Sequence, residues 1–193
     1  MNAKKKTLSD AAVFRACFDR IAEKGLGKTR LSDIARTLKI PMPQLYTTYP
    51  SVEAILGRFC DHVDANMLEA VTNDDSSSKR DLYFEMIMAR IDALQEYRPG
   101  VVRWLKDLGR VPERWPGTLC RFEQSMALML DRAGDSPVFP VKKIGISYIY
   151  AATLRAWIKD ETADMAQTMA ALDKELARGA TIIDRYMRPK KAA

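Results

Sequence analysis

Side chains suited to specific hydrogen bonds and methyl contacts follow one another in the segment "MPQLYTTY", Met42 to Tyr49. Gln44 can form a bidentate pair with adenine, and the methyl group of a threonine can contact the methyl group of thymine. A tyrosine hydroxyl such as that of Tyr46 can donate to a phosphate oxygen. These residue types in one short segment indicate recognition of a nucleic acid.

Patterns typical of catalysis or metal binding are missing from the sequence. His62 is the only histidine, and the three cysteines lie more than 40 residues apart. We interpret the cysteines as reduced core residues of a cytoplasmic protein. The acidic residues Asp160 and Asp164 are spaced to cap a helix rather than to act as acid and base. We therefore expect no enzyme activity, no metal and no cofactor.

Two short helices separated by a turn would carry the recognition segment. Apolar residues recur at helical spacing from Leu31 to Leu38 and again from Met42 to Thr48. Thr29 or Ser32 could supply the N-cap oxygen of the first of these helices. Together with a preceding helix from Leu8 to Lys24, they predict a helix-turn-helix.

The net charge of the chain is confined to its first third. Residues 1–60 contain 11 Lys and Arg against 5 Asp and Glu, a balance of +6, and residues 61–193 contain 20 of each. Cations that neutralise phosphates release condensed counterions, so a basic module of this kind suits a polyanionic partner. Lys5 and Lys6 belong to a basic N-terminal arm that would add contacts to DNA.

Helical signals dominate the rest of the chain, and strand signals are nearly absent. We predict an all-α protein of about nine helices, with a helix-turn-helix domain at residues 1–55 and a larger helical domain at residues 56–193. The one clear polar linker is "TNDDSSSKR", Thr72 to Arg80, in which Ser78 can cap the next helix. The longest apolar run, Ile144 to Leu154, is too short to cross a bilayer. No stable membrane insertion is expected.

The N-terminal region resembles the DNA-binding domain of TetR-family transcriptional regulators over residues 10–56. The segments "VFRACFDRIAEKG", "TRLSDIA" and "LYTTYPSVEAIL" carry the likeness, in this order. It implies a TetR-like fold in which Thr29 and Tyr46 face phosphates and the outer face of the third helix meets the bases. The predicted DNA-contacting residues are Lys5, Lys6, Thr29, Arg30, Met42, Gln44, Tyr46, Thr47, Thr48 and Tyr49.

Four positions depart from the family pattern. Lys39 stands where a turn glycine is usual, so it is expected to adopt a left-handed conformation at a cost of ~1 kcal/mol. Pro41 cannot offer a side-chain cap oxygen, and Pro43 removes a second amide donor from the start of the third helix. Val52 replaces a lysine that contacts phosphate in the family. The sequence leaves open whether this helix still binds DNA specifically.

The larger domain carries a second resemblance. "DLYFEMIMARIDALQEYRPGVVRWLKDL" and "YIYAATLRAWIKDETADMAQTMAALDKELARG" are similar to the C-terminal region of the TetR-fold ubiquinone-biosynthesis accessory proteins. The residues that carry it are Trp157, Asp160, Asp164, Thr168, Leu172 and Asp173. It implies an alternative function, that of a lipid- or isoprenoid-binding accessory protein of quinone biosynthesis that has lost DNA binding.

In TetR-like proteins the helices that follow the DNA-binding domain enclose a ligand cavity. Aromatic and methionine side chains are concentrated in that region here, and methionine suits a pocket that adapts to an apolar guest. The predicted pocket residues for a hydrophobic small molecule or lipid are Tyr83, Met86, Trp104, Trp115, Phe122, Met126 and Met129.

The last two helices combine small and aromatic residues, which suits a two-fold four-helix interface. The predicted dimer residues are Gly145, Tyr148, Ala152, Trp157 and Leu172. The favoured hypothesis is a ligand-responsive repressor that binds a palindromic operator as a homodimer, with ligand binding and dimerisation in the larger domain.

Overall fold

The computed structural model describes residues 8–71, 78–108, 115–136 and 140–187, with side chains described in these ranges except at positions 115, 116 and 180–187. Within them the chain forms nine α-helices and a short 3-10 helix, Leu26–Lys28, and no strand. This confirms the predicted all-α class. The helices are α1 (Asp10–Lys24), α2 (Leu31–Leu38), α3 (Met42–Thr48), α4 (Val52–Ala70), α5 (Lys79–Gln95), α6 (Arg98–Leu108), α7 (Trp115–Arg132), α8 (Pro140–Lys159) and α9 (Ala166–Met187).

The chain divides into two compact units, each built from two separate stretches. The first unit comprises the chain up to Val63 together with Ala93–Arg121, and the second comprises Asp64–Asp92 together with the chain from Phe122 onward. α1, α2, α3 and α6 therefore belong to the first unit, and α8 and α9 to the second. The division of function at residue 55 remains a proposal.

Aromatic rings form the core of the first unit. Phe18 and Phe59 lie 4.6 Å apart between ring centroids, and Tyr97 lies 5.2 Å from Phe59. α6 approaches α1 closely at Gly100, where a Cβ atom would lie 2.4 Å from the carbonyl oxygen of Phe18. Phe14 closes the cluster at 5.4 Å from Phe59. A glycine is thus required where the two helices meet.

The second unit is centred on the pairing of α8 with α9. Trp157 of α8 and Leu172 of α9 are both fully buried. The carboxylate of Asp160 accepts hydrogen bonds from the backbone N–H and the hydroxyl of Thr168 at 2.8 and 2.7 Å. The Thr162 hydroxyl donates to the same carboxylate, and these bonds hold the pKa of Asp160 well below its usual range. Asp160 is therefore a structural carboxylate of the connection between α8 and α9.

The helix ends show where local sequence rules apply. Ser51 and Ser78 accept hydrogen bonds at the starts of α4 and α5, from the N–H groups of Ala54 at 3.1 Å and Asp81 at 3.2 Å. The prediction that Thr29 or Ser32 caps α2 is wrong, because the N-cap residue is Arg30 and no side-chain hydrogen bond caps this helix. Among the described helices, none is both long enough and apolar enough to cross a bilayer.

Candidate functional site

The turn between α2 and α3 closes without a glycine. Lys39 adopts the left-handed conformation expected from the sequence, with φ 55° and ψ 42°. Its N–H donates to the carbonyl of Arg36 at 3.2 Å, and the N–H of Ile40 donates to the carbonyl of Ala35 at 3.1 Å. These bonds satisfy carbonyls left open at the end of α2. They fix the direction in which the chain enters α3.

Two prolines begin α3 without preventing it. Pro41 is the N-cap, with φ −60° and ψ 137° and no side-chain hydrogen bond, and Pro43 lies in the first turn. The carbonyl of Pro41 accepts from the N–H of Gln44 at 3.0 Å. The N–H groups of a first turn have no intrahelical partner, so neither proline removes a helical hydrogen bond. The prolines do leave fewer N–H groups for a phosphate at this helix end.

The surface of α3 carries most of the predicted contact residues. Tyr46 is 58% exposed, whereas its neighbour Leu45 is fully buried. Thr47 donates its hydroxyl to the carbonyl of Pro43 at 2.8 Å, which leaves its methyl group and oxygen lone pairs for a partner. The members of the predicted set that are exposed or half-buried are Arg30, Met42, Gln44, Tyr46, Thr47 and Thr48.

Two predicted contact residues are buried instead. The hydroxyl of Thr29 donates to the carbonyl of Gly25 at 2.9 Å, and only 4% of the residue is exposed. Tyr49 is 3% exposed, and its hydroxyl donates to a carboxylate oxygen of Asp10 at 2.7 Å. Burial and this bond raise the pKa of Tyr49, and the same bond lowers the pKa of Asp10. Both side chains thus form hydrogen bonds that stabilise the unit that presents α3.

Arg58, a cation that the sequence analysis did not predict, also bonds to Asp10. The Nε of Arg58 donates to the second carboxylate oxygen of Asp10 at 3.2 Å, and 61% of the arginine side chain is exposed. The only sequence signal for it was the positive balance of residues 1–60. Lys5 and Lys6 lie outside the described residues.

The predicted pocket residues are divided between the two units. Trp104 lies in the first unit, with its ring 6.1 Å from that of Phe18. The other described members lie in the second unit, where the three methionines are fully buried and Tyr83 donates to Asp135 at 2.8 Å. These second-unit members are Tyr83, Met86, Phe122, Met126 and Met129. The side chain of Trp115 lies outside the description.

The second unit also buries an ion pair that the sequence did not indicate. Arg90 is 6% exposed and pairs with Asp64, which also accepts from the hydroxyl of Ser125 at 2.8 Å. The guanidinium group lies 5.1 Å from the centroid of the Tyr150 ring. Phe122 stacks obliquely on that ring at 6.0 Å between centroids. The buried ion pair of the second unit thus lies beside the ring of Tyr150.

The predicted dimer residues fall into two groups. Trp157 and Leu172 are fully buried within the second unit, whereas Gly145 and Tyr148 are exposed and Ala152 is half-buried. The structure adds two apolar residues on the same helix as Tyr148. Val141, Ile144 and Tyr148 follow at helical spacing with 59%, 68% and 56% exposure. They form an apolar stripe on α8.

The described part of the chain contains no cluster of three or more His, Cys, Asp or Glu side chains able to hold a metal ion. Cys17 is buried, and burial raises the pKa of its thiol to about 12. A thiol with so high a pKa is a poor nucleophile at neutral pH.

The helical arrangement is that of the TetR fold. A TetR transcriptional regulator from Nitrosomonas europaea superposes with a TM-score of 0.75 at 17% identity, covering 89% of this chain and 98% of the other. A TetR transcriptional regulator from Rhodococcus sp. RHA1 gives 0.59 at 12% identity, covering 88% and 93%. A TetR variant from Acinetobacter baumannii in complex with minocycline gives 0.57 at 16% identity, covering 95% and 100%.

No family model and no curated protein matches the sequence. The structural likenesses all lie at low identity, so they concern the fold. At that level they confirm the resemblance to TetR-family regulators that the N-terminal segments carry.

Proposed function

We propose that this protein is a DNA-binding transcriptional regulator of the TetR type, a cytoplasmic repressor that acts as a homodimer on a palindromic operator. The observation that carries the proposal is the exposed surface of α3, presented by the unit that also holds the positive balance of residues 1–60. Cationic side chains there would displace counterions from DNA, and so give binding that weakens with salt.

Phosphate and base contacts are assigned to different side chains. Because the prolines reduce the N–H groups at the start of α3, phosphate binding rests on side chains, namely Tyr46, Arg30 and Arg58. Gln44 and Thr48 are assigned to base edges in the major groove. Thr29 and Tyr49 support these residues from inside the unit.

Dimerisation and ligand response complete the proposal. A homodimer presents two recognition helices to successive major grooves about one helical turn apart. The apolar stripe Val141, Ile144 and Tyr148 offers a surface for a second copy of the chain. A hydrophobic small molecule would release the operator only if it binds more tightly to the conformation that does not fit the DNA. The minocycline complex is a precedent for a small molecule bound by a protein of this fold.

The test is titration of the purified protein with duplex DNA from its own upstream region at several salt concentrations. Gln44→Ala is expected to weaken specific binding by about 10-fold, since a bidentate base contact contributes roughly 1–3 kcal/mol. Tyr46→Phe removes only a phosphate donor, so binding should weaken similarly on all sequences. Gln167→Ala, at an exposed position of α9, is the matched control and should bind as the wild type does.

Three results are decisive. Saturable, salt-sensitive binding that the Gln44 and Tyr46 variants weaken supports the proposal. Weak binding that is indifferent to both variants overturns it. Copurified lipid without DNA binding would instead support the accessory-protein alternative, in which the interior of the fold binds lipid and DNA binding has been lost.

A further inference from the structure

The turn between α2 and α3 contains a lysine in a backbone conformation that few side chains adopt. Lys39 has φ 55°, and within the described ranges the only other non-glycine residue with a positive φ is Met165. Glycine adopts this conformation without the steric cost that lysine bears. Strained residues of this kind are concentrated at functional sites. The strain therefore indicates that the Lys39 side chain has a role that glycine could not fill.

The Lys39 side chain is not engaged by the fold. It is exposed, and its ammonium group forms no hydrogen bond and no ion pair with a described residue. By contrast, Arg36 of α2 is paired with Asp33 at 3.1 Å. Arg20 of α1 is likewise paired with Glu23 at 2.9 Å. Because Lys39 has no such partner in the described part of the chain, its charge is available to an external anion.

α3 contains no cation of its own. No lysine or arginine occurs between Lys39 and Arg58, and only two residues separate Lys39 from Met42, the first residue of α3. No acidic residue occurs between Asp33 and Glu53 either, so no carboxylate of this segment competes for the ammonium group. Lys39 is thus the cation nearest in the sequence to the helix assigned to DNA.

The residues around Lys39 offer a phosphate few other contacts. Pro41 and Pro43 have no N–H group, so the backbone at the start of α3 has fewer donors than usual. Val52, the first residue of α4, carries no charge. A lysine ammonium group has three donors and attracts a phosphate as a point charge. A lysine in the turn would therefore supply the attraction that these three positions lack.

We propose that the ammonium group of Lys39 binds a phosphate of the DNA backbone, and that the turn keeps a strained residue because this contact needs a side chain. The inference rests on the proposed function and adds a contact to a residue outside the predicted DNA-contacting set. A phosphate contact carries no sequence information, so Lys39 would strengthen binding to every duplex alike. Each such contact contributes about 0.9 to the slope of log K against log salt concentration.

Three substitutions separate the charge of Lys39 from its conformation. Lys39→Gly removes the charge and the strain, Lys39→Asn removes the charge but keeps a side chain that tolerates left-handed backbone, and Lys39→Arg keeps the charge. Each full-length variant is titrated with the upstream duplex and with a random-sequence duplex of equal length at several salt concentrations. Lys174→Asn, at an exposed position of α9, makes the same change of charge and is the matched control.

The two neutral variants should bind both duplexes more weakly and with less dependence on salt. For each copy of the chain that binds, the loss of one phosphate contact predicts an affinity about 8-fold lower at about 0.1 M salt and a slope smaller by about 0.9. Lys39→Arg and Lys174→Asn should bind as the wild type does. Chemical denaturation should show that Lys39→Gly is more stable than the wild type, so its weaker binding cannot come from a loss of folding.

The outcomes separate this inference from the proposed function. If the wild type binds DNA with a salt dependence that neither Lys39→Gly nor Lys39→Asn reduces, the phosphate contact is overturned and the proposed function stands. Weakening confined to the upstream duplex, or an equal loss of slope in Lys39→Arg, would also overturn the contact. A wild type without salt-sensitive binding to either duplex overturns the proposed function and this inference together.

Discussion

Asp135 shows how one carboxylate can collect donors from distant parts of the second unit. It accepts from the ammonium groups of Lys79 at 2.6 Å and Lys142 at 2.7 Å, and from the hydroxyl of Tyr83 at 2.8 Å. Partial burial alone would raise the pKa of Asp135, but the three donors outweigh it and lower the pKa to about 2. The carboxylate thus joins the start of α5 to the segment before α8.

This arrangement predicts a dependence of stability on pH. Because the pKa of Asp135 is lower in the folded than in the unfolded chain, its contribution is complete above about pH 4 and is lost as the pH falls toward about 2. Asp135→Asn should therefore destabilise the protein at neutral pH, and its deficit should shrink as the medium is acidified. Urea unfolding at several pH values measures this.

The control for this experiment is Asp131→Asn, an exposed carboxylate near the end of α7. Its effect should be small across the same pH range. A deficit of Asp135→Asn that stays constant down to about pH 3 would contradict the linkage.

The residues that the sequence reasoning placed at the surface show what a single sequence conceals. Met42, Tyr46, Thr47 and Thr48 are exposed, whereas Leu45 of the same helix is fully buried. Tyr49 is buried because its hydroxyl meets Asp10, which is 39 residues away in the chain. Helical spacing predicts the face of a residue on its own helix, but a partner from another helix decides whether a side chain beyond the helix end is covered.

At the scale of the elements, α2 and α3 show that a helix-turn-helix forms even with atypical residues in its turn and at the start of its second helix. The sequence allowed the left-handed Lys39 and the two prolines to be anticipated, because both rest on local backbone sterics. The division of the expected pocket residues between two units was not foreseeable. It depends on α6 joining the first unit, and no local pattern encodes that pairing.

Lys39→Gly is expected to stabilise the protein by about 1 kcal/mol, because glycine adopts the left-handed conformation without the steric cost borne by lysine. Chemical denaturation would measure the gain. Lys174→Gly, at an exposed position within α9, is the matched control and should lose about 1 kcal/mol. A loss of stability in Lys39→Gly would show that the turn carries no strain.

The contact of α1 with α6 predicts the opposite response to a small residue. Gly100→Ala would place a Cβ atom 2.4 Å from the carbonyl oxygen of Phe18. We expect a loss of about 3 kcal/mol, because two packed helices must move apart. Gly117→Ala, in α7, brings the added carbon within 4 Å of no described neighbouring atom and should stabilise the protein by about 0.5–1 kcal/mol, because alanine favours a helix more than glycine does. Similar midpoints for both variants would contradict the close approach.

At the scale of the whole molecule, the stripe on α8 predicts the oligomeric state. Ile144→Glu introduces a charge in the centre of the proposed interface and should convert a dimer to a monomer in light scattering after size-exclusion chromatography. Leu119→Glu adds the same charge at a half-exposed apolar position of α7 and should remain dimeric. A wild-type monomer, or a dimeric Ile144→Glu protein, would exclude this surface as the interface.

The discontinuous make-up of the first unit has a consequence for synthesis on the ribosome. Its N-terminal stretch leaves the ribosome well before Ala93–Arg121, so Phe14, Phe18 and Phe59 must wait for Tyr97 and α6 to cover them. During that interval the nascent chain presents aromatic surface that chaperones recognise. A fragment of residues 1–70 should accordingly bind hydrophobic dyes and lack cooperative unfolding, while a fragment of residues 1–121 should recover a cooperative transition. The unit that presents α3 would thus fold cooperatively only after more than half of the chain has been made.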